Sequence, residues 1–228
     1  MSIKRVLDLF CGAGGAAMGY YRAFGPDVEI VGVDHKPQPH YPFTFIQADA
    51  LEFMRDGRGD GFDFYHASPP CQVYSVTAPL AGTGHRGQIE ETRDLLRVTG
   101  KPHVIENVPG APLDNPLMLC GTMFGLRIIR HRLFEVWPTP IWFPPAPCCH
   151  NGKATSANTA ARHGGIGNPG FEHGFDFITV CGHSFPAEDG QVAMDIDWMN
   201  RDELAQAIPP AYTEWIGRRI LETERAAP

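Results

Sequence analysis

The sequence predicts an α/β protein built on a doubly wound sheet. Three observations predict it. Short apolar runs of strand character recur through the first half of the chain, with helical patterns between them. Several of these runs end in an acid. The first passes directly into a glycine turn that opens a helix. In such sheets ligands bind beyond the carboxyl ends of the strands, so the acids and the glycine turn mark the edge where chemistry is expected.

Each element follows from its pattern. "RVLDLF" (5–10) is a short buried strand, and "CGAGGAAMGYYRAF" (11–24) is the glycine turn and its helix. "EIVGVD" (29–34) and "FTFIQAD" (43–49) are strands ending in Asp34 and Asp49, and "ALEFMRD" (50–56) is helical. "FDFYHAS" (62–68) is a fourth strand running into Pro69 and Pro70. "QIEETRDLLRVTG" (88–100) has helical periodicity with a glycine stop, and "PHVIEN" (102–107) is a fifth strand. "RHRLFEVWP" (130–138) is strand-like, which would turn Arg130 and Arg132 to one face. From Pro138 to about Gly174 the chain is rich in Pro, Gly, Asn and His, and reads as an insertion of loops. "DFITVCG" (176–182) returns to strand character, and 200–207 and 211–224 read as helices.

Composition bounds the function classes. At 43% hydrophobic and 20% charged, the 228 residues can form a globular body with a real core. No apolar run approaches a membrane span, and "MSIKRVLDLF" lacks signal-peptide architecture, so a cytosolic protein with no membrane partner is expected. Cys11, Cys71, Cys120, Cys148, Cys149 and Cys181 are then expected reduced, open to core, metal or catalytic roles. A net charge of −7 does not advertise a nucleic-acid binder. Yet Arg127, Arg130, Arg132, Lys153 and Arg162 share the 127–170 stretch with a single acid, Glu135, as a phosphate-facing groove could.

The glycine turn, with Gly12, Gly14 and Gly15, can present backbone N–H groups to an anionic or polar ligand. Asp34, about twenty residues further on, suits ribose hydroxyls. This also matches a dinucleotide fingerprint, so a nicotinamide enzyme competes at this point. Asp49 suits an adenine amine, or else caps the following helix. Cys71 stands in "ASPPCQ" (67–72), on a platform stiffened by two prolines that cannot join a sheet ladder. A buried small hydrophobe would not need that platform. Glu106 ends the next strand, where it can grip a substrate N–H, and Arg130 and Arg132 read as phosphate or carbonyl grips on the same edge.

Taken in order, "DLFCGAGG", "SPPCQ", "ENV" and "RHR" resemble the DNA (cytosine-5) methyltransferases over 1–137, and "IPPAYTEWIG" extends the likeness over about 191–217. The resemblance implies a Rossmann-like methyltransferase sheet with a small irregular target-recognition insertion, the catalytic domain being 1–137 plus 191–228 and the recognition region 138–190. It implies S-adenosyl-L-methionine as cofactor, with Phe10 on the adenine, Asp34 at the ribose, Asp49 at the adenine amine, and Gly12, Gly14, Gly15 and Pro70 completing the pocket. Cys71 is implied as nucleophile on cytosine C6, Glu106 as the grip on N3 and the exocyclic amine, and Arg132 as the grip on the carbonyl. Arg130 would lie near the thiol and a phosphate. Asn107 would tie its strand to the Cys71 loop, and 72–88 would close over a flipped-out base. Double-stranded DNA is the implied partner and monomer the family default. The compact plan is similar to stand-alone phage or prophage methylases.

Two features depart from the family. Ile128 stands where the arginine motif normally has glutamine, and the recognition region is short, which predicts a short or loosely read target site. Cys148-x-His150 and Cys181-x-His183 flank the insertion; the spacing is not the usual zinc one, so no metal and reduced loop cysteines are the default, with a zinc staple of two ligands from each end as the alternative. An RNA cytosine methyltransferase, a non-catalytic cofactor- and DNA-binding homologue and a nicotinamide oxidoreductase compete with the leading reading.

Overall fold

The structure is a computed structural model and describes residues 3–70, 88–138, 141, 144–155, 170–182 and 184–226. Cys71, His183 and the covering-loop residues 72–87 lie outside the described residues. The elements in order are β1 (Arg5–Leu9), α1 (Gly15–Phe24), β2 (Glu29–Asp34), β3 (Thr44–Gln47), α2 (Ala50–Arg55), β4 (Phe64–Ala67), α3 (Ile89–Val98), β5 (His103–Asn107), β6 (Leu117–Leu119), β7 (Arg132–Trp137), α4 (Ala187–Met194), α5 (Arg201–Gln206) and α6 (Pro210–Ala226).

The seven strands form one sheet in the order β3-β2-β1-β4-β5-β7-β6. The first five run parallel, and β7 and β6 complete the edge as an antiparallel pair. The order reverses between β1 and β4, which makes the crevice beyond their carboxyl ends the expected ligand site.

Both faces are covered, because buried strands alternate side chains between two apolar layers. Ala16, Ala17 and Tyr20 of α1 and Tyr212, Ile216 and Ile220 of α6 pack with Val6, Phe64, Val104 and Phe134. On the other face Ala50, Phe53 and Met54 of α2 and Leu96 of α3 pack on Leu7, Val31, Tyr65 and Ile105. A third cluster joins Ile178, Val180, Phe185 and Met194 to Ala13 of the glycine turn. Deep in the edge, Arg93 of α3 bonds both oxygens of Glu135 on β7 through Nε and Nη2, each at 2.8 Å, and both side chains are buried.

Three local expectations change. The segment 176–182 forms no strand; its one ladder contact is the bridge between Ala154 and Phe177. Its apolar character instead serves the third cluster, where Ile178 and Val180 are buried. Arg130 lies just ahead of β7 rather than within it. Helix α4 was not expected, since Gly190 interrupts its pattern, yet a side chain there would strike the Phe185 ring, so close packing explains the glycine.

Candidate functional site

At the switch point the sheet edge opens into a cleft of about 440 Å³. The glycine turn forms one wall. Phe10, at φ 55, makes the left-handed turn out of β1, an uncommon conformation for a bulky residue. A side chain at Gly15 would run into the Ile208 carbonyl, and one at Gly14, which sits at φ 86, would meet Tyr41 and Pro42. Close approach to the segment before α6 and to the 41–42 turn therefore fixes both positions as glycine. Trp198 Nε1 donates to the Ala13 carbonyl at 2.9 Å, clamping the turn from the far end of the chain.

Asp34, at the end of β2, accepts from Gly12 N through Oδ2 at 3.1 Å and from Lys36 N through Oδ1 at 3.0 Å. Phe10, Gly12, Gly15, Asp34, Pro70, Glu106, Arg130 and Arg132, all expected from the sequence, line this one cleft. Gly14 backs the wall instead. Asp49 caps α2, its Oδ1 accepting from Leu51 N and Glu52 N at 3.0 and 2.9 Å, and it is not among the lining residues. The capping alternative therefore describes its contacts.

Strand register gathers a polar row on one sheet face. Asp8 pairs with His66, and His66 with Val104. Glu106 lies two residues beyond Val104 and pairs with Phe134, so Arg132 is its diagonal neighbour across β5 and β7. Arg132 Nε meets Glu106 Oε1 at 3.1 Å. Burial pushes the Glu106 carboxyl above its ordinary range, while Arg132, a hydrogen bond from Ser68 and Arg130 pull it back. Behind Ser68 the chain of bonds continues: His66 Nε2 lies 3.0 Å from Ser68 Oγ, and Tyr20 Oη 2.9 Å from His66 Nδ1. Burial lowers His66 to about 3, so the imidazole is neutral at ordinary pH. A neutral ring accepting from Tyr20 carries its proton on Nε2, donates to Ser68, and leaves the serine hydroxyl to donate to Glu106.

Asn107 Nδ2 donates to the Pro69 carbonyl at 2.9 Å, tying β5 to the loop that leads to Cys71, as the resemblance implied. Ile128 is buried in the third cluster over Gly121, which explains an apolar residue where glutamine was expected.

Arg130 differs from expectation in its contacts. Its Nη1 donates to the Val180 carbonyl at 2.7 Å and its Nη2 to the Ala205 carbonyl at 2.8 Å. Burial, with Arg132 beside it, lowers its pKa to about 9, which leaves it charged at neutral pH. Arg127 likewise donates to the carbonyls of Asp176 and Phe175. Much of the cationic stretch thus holds the protein's own backbone rather than presenting a bare row for phosphates.

Asp8, which the sequence places toward the carboxyl end of its strand, on the edge where ligands bind, was given no role. It is fully buried, its Oδ2 accepts from Tyr41 Oη at 3.2 Å, and its Oδ1 has no hydrogen-bond partner. Burial raises its carboxyl well above the ordinary range. An acid inside an apolar strand was the available signal. Cys11, Ser68 and Glu203 also line the cleft without having been assigned to it.

The Cys-x-His staple offered by the sequence includes His183, which lies outside the described residues. Cys148 and His150 do gather, but with Cys120 and His131; Cys181 is exposed and outside the group. Cys120 and His131 come from the ends of the β6–β7 pair, where no Cys-x-His spacing marks them.

The sheet order and the glycine turn at the switch point define the class: this is a Rossmann-like methyltransferase fold. Among solved structures, one described as a candidate DNA modification methyltransferase encoded within an E. coli prophage matches 97% of this chain and 99% of its own, with a TM-score of 0.59. Identity is 14%, so the likeness is one of fold. TrmN from Thermus thermophilus matches 59% of this chain and 43% of its own at 18% identity, with a TM-score of 0.35, too low to support inference. No family model matches the sequence, and no curated protein matches it. Among the described residues no helix is long and apolar enough to cross a membrane.

Proposed function

We propose that this chain is an S-adenosyl-L-methionine-dependent methyltransferase acting on C5 of a flipped-out cytosine in double-stranded DNA, through a transient bond between Cys71 and C6. The observation that carries the proposal is the shared cleft. Glu106 and Arg132, bonded to each other, line the same space as Phe10, Gly12 and Asp34, and as Pro69 and Pro70, which immediately precede Cys71 in the chain.

The cleft suits the cofactor. Asp34 has acceptor capacity beyond its two backbone bonds, for ribose hydroxyls, and the unpartnered Asp8 Oδ1, on a carboxyl that burial favours in its neutral form, stands behind the same cleft. When bound there, S-adenosyl-L-methionine supplies an electrophilic methyl group. Phe10 would pack on the adenine and Gly12, Gly15 and Pro70 would close around the nucleoside. Gly14 shapes the turn. Asp49 keeps one carboxylate oxygen outside its cap for the adenine amine.

The chain's own groups would then act on the base. The Cys71 sulfur, as thiolate, forms a bond to C6, and the ring electrons shift to C5 as an enamine. Glu106, its carboxyl raised by burial, holds or shares a proton at N3 while accepting from the exocyclic amine. Arg132 donates to the base carbonyl. Arg130, charged and buried beside the pair, favours the ionised sulfur by its field. After C5 is methylated, its proton leaves, the S–C6 bond breaks and the thiolate is restored. Residues 138–190 would read the target, 72–88 would cover the base, and the protein would act as a monomer.

Duplex DNA carrying 5-fluorocytosine tests the reading, since fluorine cannot leave as the C5 proton does. In the presence of cofactor, wild-type protein is expected to form a covalent adduct that survives denaturing electrophoresis, and Cys71→Ser none. Adduct on transfer RNA but not on duplex DNA would move the substrate to RNA. No adduct on either would refute the mechanism.

A further inference from the structure

We propose that Cys120, His131, Cys148 and His150 form a structural zinc site at the edge of the sheet. Among the described residues these four gather so that one ligand atom from each lies within 4.8 Å of all the others. Cys120 Sγ is 3.4 Å from His150 Nε2, and Cys148 Sγ is 3.9 Å from His131 Nε2. In a tetrahedral zinc site, bonds of about 2.3 Å to sulfur and 2.0–2.1 Å to nitrogen set ligand atoms roughly 3.5 Å apart. The cluster is already near that size.

Its assembly follows from the fold. The antiparallel register of β6 and β7 sets Leu119 opposite Arg132. One step beyond each strand, Cys120 and His131 therefore emerge side by side. Cys148 and His150 arrive from the segment after β7, two positions apart. Both imidazoles turn Nε2 toward a sulfur. Thr122 supports the arrangement from behind: its hydroxyl donates to Cys120 Sγ at 3.5 Å and accepts from Cys149 N at 3.2 Å. Such outer hydrogen bonds hold a thiolate ligand in place.

Two thiolates and two imidazoles select zinc among the common divalent ions, and four protein ligands leave no position for a substrate water, so the role is structural. The site would pin the 144–155 segment, poor in apolar residues, to the sheet edge. It would also fix His131, whose neighbours Arg130 and Arg132 both line the cleft. Arg132 Nη1 in fact donates to the His131 carbonyl at 2.8 Å.

The test uses the full chain purified under reducing conditions. Elemental analysis is expected to find one zinc per chain in wild type, and in Cys149→Ser and Cys181→Ser, and to find it lost in Cys148→Ser and His150→Ala. His150 is exposed, so its truncation leaves the core intact. Cobalt(II) added to metal-stripped wild type is expected to give the intense visible bands of a tetrahedral site and a thiolate charge-transfer band, both missing from His150→Ala. Wild type that binds neither ion, or zinc that survives in His150→Ala, would overturn the site. So would loss of zinc in Cys181→Ser, or a Cys120–Cys148 disulfide in freshly purified protein. None of these readouts depends on methyl transfer.

Discussion

Acidification is expected to destabilise this protein through His66, by an amount that can be worked out. The imidazole is fully buried beneath Glu106, and desolvation lowers its pKa to about 3. In the unfolded chain the ring titrates near pH 6.5. A depressed histidine contributes stability that is present above the unfolded value and lost as pH falls from about 6.5 toward 3, because the unfolded state gains the proton first. Between pH 7 and pH 5 the loss from this residue alone is about 2 kcal/mol. That figure barely depends on the folded value, since at pH 5 any pKa below about 4 leaves the buried ring neutral. Glu106 acts in the opposite direction, its raised carboxyl favouring the fold as it protonates, and His103, also lowered by burial, in the same direction. Both are shared by a His66→Gln variant, whose amide can replace the Nε2–H bond to Ser68. Urea unfolding of both proteins at pH 7 and pH 5 isolates the residue: wild type should lose about 2 kcal/mol more than the variant. Parallel losses, or an imidazole resonance for His66 that titrates near pH 6.5, would refute the buried-neutral assignment.

Other consequences are checked by substitution. Arg93→Met should destabilise by about 3–5 kcal/mol by leaving the buried Glu135 only its longer contact to a cation, Arg97, whereas Arg93→Met with Glu135→Leu should recover most of that, as read by urea midpoints. Gly15→Ala should cost about 1–3 kcal/mol, because its methyl meets the Ile208 carbonyl, as read by urea midpoints. On the proposed function, Glu106→Gln and Arg132→Ala should each slow adduct formation at 5-fluorocytosine, and the double variant should be slower by much less than the product of the two. Strict multiplicativity would show that the pair does not act as a unit.

Strands β1, β2, β4 and β5 were legible because each is a largely apolar run buried along most of its length, and the doubly wound class followed from alternation with helices; β3, at the edge, is not buried. Phe10, Gly12, Asp34, Glu106 and Arg132 reached one cleft because they stand at strand ends, where spacing in sequence translates directly into place. Contacts that depend on distant segments were not legible. Nothing local says that Arg130 will hold the carbonyls of Val180 and Ala205, fifty and seventy-five residues away. The segment 176–182 carries strand-like alternation, but tertiary burial against Ala13 and Ile128 used it without a ladder. Cys120 and His131 stand eleven positions apart and come side by side through the β6–β7 register, so no short Cys-x-His spacing marks them in the sequence as it marks Cys148 and His150.

The polar row explains why so many titratable groups can be buried on one sheet face. Tyr41 holds one oxygen of Asp8; Tyr20, His66, Ser68, Glu106 and Arg132 satisfy one another in series. A chain in which Tyr20, His66 and Ser68 each donate to the next group, and Glu106 accepts from both Ser68 and Arg132, removes most of the desolvation penalty that an isolated carboxylate in the same place would bear in full. Among the described residues three buried side-chain atoms remain without a partner: Asp8 Oδ1, Arg130 Nε and His103 Nε2. The first two belong to residues lining the cleft, at opposite ends of the row, while His103 stacks on Trp137 at the amino end of its strand. Asp8 Oδ1 and Arg130 Nε are both closed off from solvent, so each unmet bond is a desolvation cost carried by the fold around the cleft.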